Sequence, residues 1–109
     1  MGGGDKTAGL TDALDMMWRK FLPEIRHRAR VLEDAAHSAS AGKLTESERE
    51  AAQSAAHKLA GTLGTFGLGR GTELARELEQ IYAPAGSAGP AARLTAMAAE
   101  IHAIIENRK

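Results

Sequence analysis

The sequence predicts an all-α fold: an up-down-up-down four-helix bundle with a short extra N-terminal helix. Three observations carry this. Apolar residues recur at spacings of three and four throughout, and no stretch alternates as a strand would. Apolar residues make up 43% of the chain but aromatics only 4%, and much of the rest is alanine. That composition favours thin, closely packed helices over sheets. The segments between periodic stretches are short, which favours antiparallel neighbours.

Residues 1–9 hold Gly2, Gly3, Gly4 and Gly9 but no hydrophobic run. They read as a flexible leader, not as a secretory signal. Residues 10–109 then form a single domain. Leu14, Met17, Trp18, Phe21 and Leu22 define the leading helix, which Thr11 or Asp12 can cap. Pro23 disfavours a helical Leu22 but suits the first turn of a new helix. The second helix buries Ile25, Ala29, Leu32 and Ala36, and 38–42 is a connector.

Thr45 and Glu48 match a capping box, so a third helix runs from there to about Phe66. Its apolar face is Ala52, Ala56, Leu59, Leu63 and Phe66. Gly67 can stop it in a left-handed conformation. Leu74, Leu78 and Ile81 mark the fourth helix, and 83–89 is a small-residue turn. Pro90 can open the last helix, which buries Leu94, Met97, Ile101, Ile104 and Ile105. Arg108 and Lys109 suit its negative end.

Composition excludes several function classes. Without cysteine there is no disulfide, thiolate nucleophile or iron–sulfur cluster. Fourteen basic residues balance fourteen acidic ones, so the basic excess of a nucleic-acid binder is missing. No apolar run approaches the roughly 20 residues of a membrane span, and a cytoplasmic location is expected. His27, His37, His57 and His102 show no bundle-type metal spacing, so no metal is expected. No Walker or kinase glycine loop is present, so neither ATP binding nor autokinase activity is expected. Arg19, Lys20, Arg26, Arg28 and Arg30 form a basic stretch that reads as a solvated face or as a docking patch for an acidic surface.

The third helix is unusual. At about 100° per residue, His57 lies roughly 160° from Leu59 and 120° from Leu63, so it points away from the core. Gln53, Ala60, Gly61 and Gly64 fall within about 60° of it. Two glycines inside a helix cost roughly 1 kcal/mol each relative to alanine. Either a neighbouring helix packs closely there, or the space is kept clear for a partner. An exposed imidazole offers a neutral, nucleophilic form near pH 7. Lys58 reads either as a solvated lysine or as a cation for a transferred phosphoryl group.

His57-Lys58-Leu59-Ala60-Gly61-Thr62, followed by Leu63-Gly64-Thr65-Phe66-Gly67-Leu68, resembles the signature of histidine-containing phosphotransfer (HPt) domains. Leu74-Ala75-Arg76-Glu77-Leu78-Glu79 is similar to the family's next helix. The strong match covers about 55–79. The resemblance implies a phosphorelay carrier of two-component signal transduction, not an enzyme. His57 accepts a phosphoryl group from a receiver-domain aspartate and passes it to another receiver. Gly61 keeps the approach open; on the residues themselves, Gln53 and Gly64 share that cleared face, Ala60 belongs to the docking surface, and Trp18 and Phe21 either cover one end of the bundle or extend that docking surface. The Mg²⁺ comes with the receiver domain of the response regulator, and the chain is a monomer without a cofactor of its own. One departure is Ala60, where many members carry a lysine. Lys58, the nearest substitute, projects about 100° from His57. Two other readings are a degenerate interaction module without phosphoryl chemistry and a histidine-kinase dimerisation and phosphoacceptor domain.

Overall fold

The computed structural model describes residues 2–84, 86 and 90–108, with residues 2–8 described in backbone alone. Among these residues the chain is all-helical. Its elements are α1 (Gly2–Ser40), α2 (Glu46–Thr65), α3 (Gly69–Ile81) and α4 (Ala91–Asn107). Packing is cyclic: α1 lies against α2 and α4, and α3 lies against the same two. Among the described residues the backbones of α1 and α3, and of α2 and α4, stay apart across the core, as expected of four helices around one core.

The separate leading helix expected from the sequence does not form. Pro23 lies inside α1, and both segments are one helix. A proline in a helix interior removes one hydrogen bond and costs roughly 3 kcal/mol. What offsets it is an apolar stripe that crosses Pro23 without a change of phase. Trp18, Ile25, Ala29, Leu32 and Ala36 are buried, and Leu22 packs against them. Breaking the helix would rotate one half of that stripe off the core. The helix also takes in residues 2–9, expected from the sequence to be a leader, so neither Thr11 nor Asp12 caps it. At 39 residues α1 matches the 58 Å long axis of the molecule and overshoots its neighbours.

The remaining elements follow their local signals. The Thr45 hydroxyl accepts from the Glu48 N–H at 3.1 Å, and the Glu48 carboxylate accepts from the Thr45 N–H at 3.2 Å. Glu48 also accepts from the Ser38 hydroxyl, which ties the end of α1 to the start of α2. That bond, with those from Thr45, holds the Glu48 carboxyl below the usual carboxylate range. Its stabilisation is therefore full above the ordinary glutamate range and is lost as pH falls through the lowered value. Thr45→Ala is expected to cost about 1 kcal/mol, measurable by denaturant titration. Gly67 adopts φ 73°. Leu68 N–H reaches Leu63 O and Gly67 N–H reaches Gly64 O, a Schellman stop.

The expected turn at 83–89 lies partly outside the described residues, as does Lys109. Pro90 is the N-cap of α4. At one end of the bundle Trp18 and Phe66 meet edge to face at 5.1 Å. The Arg108 guanidinium covers the Trp18 ring and bonds Asp15 at 3.1 Å. Ion pairs link the helices elsewhere, Arg26 with Glu106, Arg70 with Glu100 and Arg93 with Glu77, and His102 Nδ1 meets Glu33.

Candidate functional site

His57 stands in the middle of α2, held outward by the buried face of Ala52, Ala55, Ala56, Leu59, Ala60 and Leu63. Its side chain is 73% exposed. The site is assembled by α3. Ala60 and Gly64 present almost no side chain on that flank, so α3 comes close. Thr72 donates its hydroxyl to Ala60 O at 3.3 Å, and a Cβ on Gly64 would meet Thr72 Oγ1 at 3.4 Å. Ala75 is fully buried one turn on. One further turn brings Glu79 beside the imidazole, with Oε2 2.8 Å from His57 Nδ1.

That contact decides the chemistry of the ring. A carboxylate only accepts, so Nδ1 carries the proton. In the neutral imidazole Nε2 then keeps its lone pair, and it faces away from α3. The sequence reading misses Glu79 as a site residue. Leu78, one position earlier, marks the buried stripe and places Glu79 on its flank. Choosing which flank faces α2 requires the helix register.

The two glycines of α2 have different reasons. Nothing lies within 4 Å of a Cβ built on Gly61, so that position is open. Gly64 faces Thr72 and belongs to the α2–α3 packing. Lys58 is exposed beside His57. Gln53 is half-buried one turn before and accepts from Arg49 Nη1 at 3.3 Å. Two expected docking residues are corrected. Ala60 is only 6% exposed because α3 covers it, and Trp18 is 4% exposed because Phe66 and Arg108 enclose it. Phe21, at 40% exposed, does stand at the surface with Met17. These two and Phe66 line an apolar groove. A shallow basin lined by His57, Lys58, Gly61 and Arg28 continues it, and the two share Arg28, Thr62 and Thr65.

A family model described as Hpt domain matches residues 16–107. The chain belongs to the Hpt family. Protein RcaC of Microchaete diplosiphon is 36% identical over 66 residues, covering 61% of this chain and 10% of RcaC. The chain thus spans about a tenth of the length of that curated relative. No solved structure matches. Hpt domains are phosphocarrier modules of phosphorelays in two-component signalling, and they exchange phosphoryl groups with receiver domains of response regulators. In this Hpt domain no described helix is long and apolar enough to cross a membrane.

The Glu79 contact carries its own expected result. Glu79→Ala in this Hpt domain frees Nδ1, so the neutral ring shifts toward the Nε2–H tautomer, whose Nε2 has no lone pair to offer. Nitrogen-15 NMR of the imidazole reads that shift. Thermal stability changes by less than about 1 kcal/mol, since the contact is at the surface.

Proposed function

We propose that His57 is the phosphoacceptor, taking a phosphoryl group from a receiver-domain aspartate and returning it to another receiver. The observation that carries this reading is the exposed imidazole with Nδ1 held by Glu79 and open space at Gly61. The Nε2 lone pair attacks phosphorus in line, the P–O bond to the aspartate breaks, and its electron pair stays on the aspartate carboxylate. The ring keeps its Nδ1 proton and becomes a phospho-imidazolium. Glu79 stabilises that positive charge. The Mg²⁺ that neutralises phosphoryl oxygens belongs to the receiver. This chain supplies the nucleophile and the surface and is a carrier, without kinase activity of its own, acting as a cytoplasmic monomer. Its helices run up-down-up-down. The pairs Asp15–Arg108, Arg26–Glu106 and Glu33–His102, whose numbers rise on α1 and fall on α4, support that course.

His102 is the internal comparison. Its Nδ1 also meets a carboxylate, Glu33 Oε1 at 2.9 Å. Its surroundings add a second carboxylate, Glu106, which already occupies Arg26. That pocket is charge-balanced, Glu33 and Glu106 against Arg26 and Arg30, whereas among the described residues the His57 basin is lined by Arg28 and Lys58 and by no acidic residue.

The test is incubation with phosphorylated receivers and Mg²⁺. Acid-labile, base-stable label is expected on wild type and none on His57→Gln. Undiminished labelling of that variant would sink the assignment.

A further inference from the structure

We propose that Arg28 on α1 is the cation that grips the phosphoryl group on His57 Nε2, a role that rests on His57 being the phosphoacceptor. Glu79 holds Nδ1 from the α3 side, so the group on Nε2 projects away from α3. On that far side lies the basin, and among the described residues Arg28 is the one that lines it from α1. The other walls are His57, Lys58, Gly61, Thr62 and Thr65, all from α2. Ala60 brings no charge and is buried under α3. Arg28 and Lys58 are thus the cations facing the basin.

Arg28 is the better placed of the two. Its side chain is 20% exposed, and Glu24, one turn earlier, accepts from Nη2 at 2.8 Å. Arg28 is thus a partly buried cation at the junction of the groove and the basin, whereas Lys58 stands on the exposed surface. A guanidinium carries five N–H donors, and its fork matches two oxygens of a phosphoryl group. Exposed pairs spaced by four are weak, so exchanging Glu24 for a doubly charged phosphoryl group is favourable. Charge balances across the transfer. A neutral imidazole and a dianionic acyl phosphate give an imidazolium bearing a dianionic phosphoryl group, plus the aspartate carboxylate. Glu79 meets the new positive charge and Arg28 the negative one, on opposite sides of the ring.

The experiment compares wild type, Arg28→Ala, Arg28→Lys and Lys58→Ala. Each is phosphorylated with phosphoramidate, a small donor that needs no docking, and in parallel from a phosphorylated receiver with Mg²⁺. Phosphorylation rates, the lifetime of the phosphohistidine and its phosphorus-31 shift are read alongside melting temperature. Arg28→Ala is expected to lose about tenfold or more in rate with both donors. It should also move the phosphorus-31 shift and leave the melting temperature within a few degrees. Arg28→Lys recovers part of the rate, because it keeps the charge but not the fork, and Lys58→Ala loses less than Arg28→Ala. Wild-type rates and shift in Arg28→Ala, with His57 labelled, overturn the proposal and leave the phosphoacceptor assignment standing. A loss confined to the receiver arm also overturns it, since that marks a docking contact. Absence of label on wild-type His57 overturns the assignment and the proposal together.

Discussion

Gly61→Gln is expected to slow phosphoryl transfer about a hundredfold while melting at the wild-type temperature or above it. Gly61 lies one turn beyond His57, about 40° around the helix, so a long side chain there stands in the path to Nε2. Misplacement of reacting groups by about 1 Å is enough for that loss. The fold has no objection, because nothing lies within 4 Å of the new Cβ. Leaving glycine in a helix interior gains up to roughly 1 kcal/mol of propensity. In a domain of this size that corresponds to a rise of about 4–8 °C. Gly61→Ala should show the same rise with only mild slowing. Melting curves and transfer rates on both variants check this. Had Gly61 been a packing residue, glutamine would overpack the bundle instead. A fall in melting temperature with normal transfer from the folded fraction would refute the clearance argument.

Leu63→Ala should remove about 2–5 kcal/mol, a large share of the roughly 5–15 kcal/mol that holds a domain folded. Leu63 is fully buried beneath the site, and its Cδ1 would sit 2.8 Å from a Cβ on Gly71. Gly71 is buried too, and Ile104 Cγ2 closes its other side at 3.4 Å. Gly71→Ala therefore forces Leu63 aside, at about 1–3 kcal/mol. The double variant is expected to lose less than the two losses added, by about 0.5–3 kcal/mol, because the new methyl fills space that Leu63 has left. Urea titrations of the four proteins measure the coupling. Strict additivity would mean that Gly71 is glycine for a reason other than Leu63.

Local signals made α2 and the central histidine legible in the sequence. The capping box and Gly67 are short-range chemistry, and they fix the start and stop of the helix wherever it packs. The outward direction of His57 follows from the same helix, since the period is set by backbone geometry. Pro23 was the opposite case. Its local preference is to end a helix, but the stripe from Trp18 to Ala36 stays in phase across it, and burial on both sides outweighs one lost hydrogen bond. Ala60 and Glu79 belong to a third kind. Both are decided by which flank of α2 receives α3. Ala60 goes under the neighbouring helix and Glu79 is delivered to the imidazole by the same contact. A helical wheel drawn for one helix does not contain that information. Trp18 covers one end of the bundle, one of the two readings its sequence allows, while the Arg108 that encloses it lies 90 residues further along the chain.

The proposed phosphotransfer rests on one atom, Nε2 of His57. The direct measurement is NMR of the protein after phosphorylation by a receiver with Mg²⁺. Phosphorus–nitrogen and phosphorus–proton couplings identify both the histidine and the ring nitrogen that bears the group. A single phosphoryl group on Nε2 of His57 is expected, with Nδ1 still protonated against Glu79. A phosphoryl group on Nδ1 of His57, or on His27, His37 or His102, would contradict it.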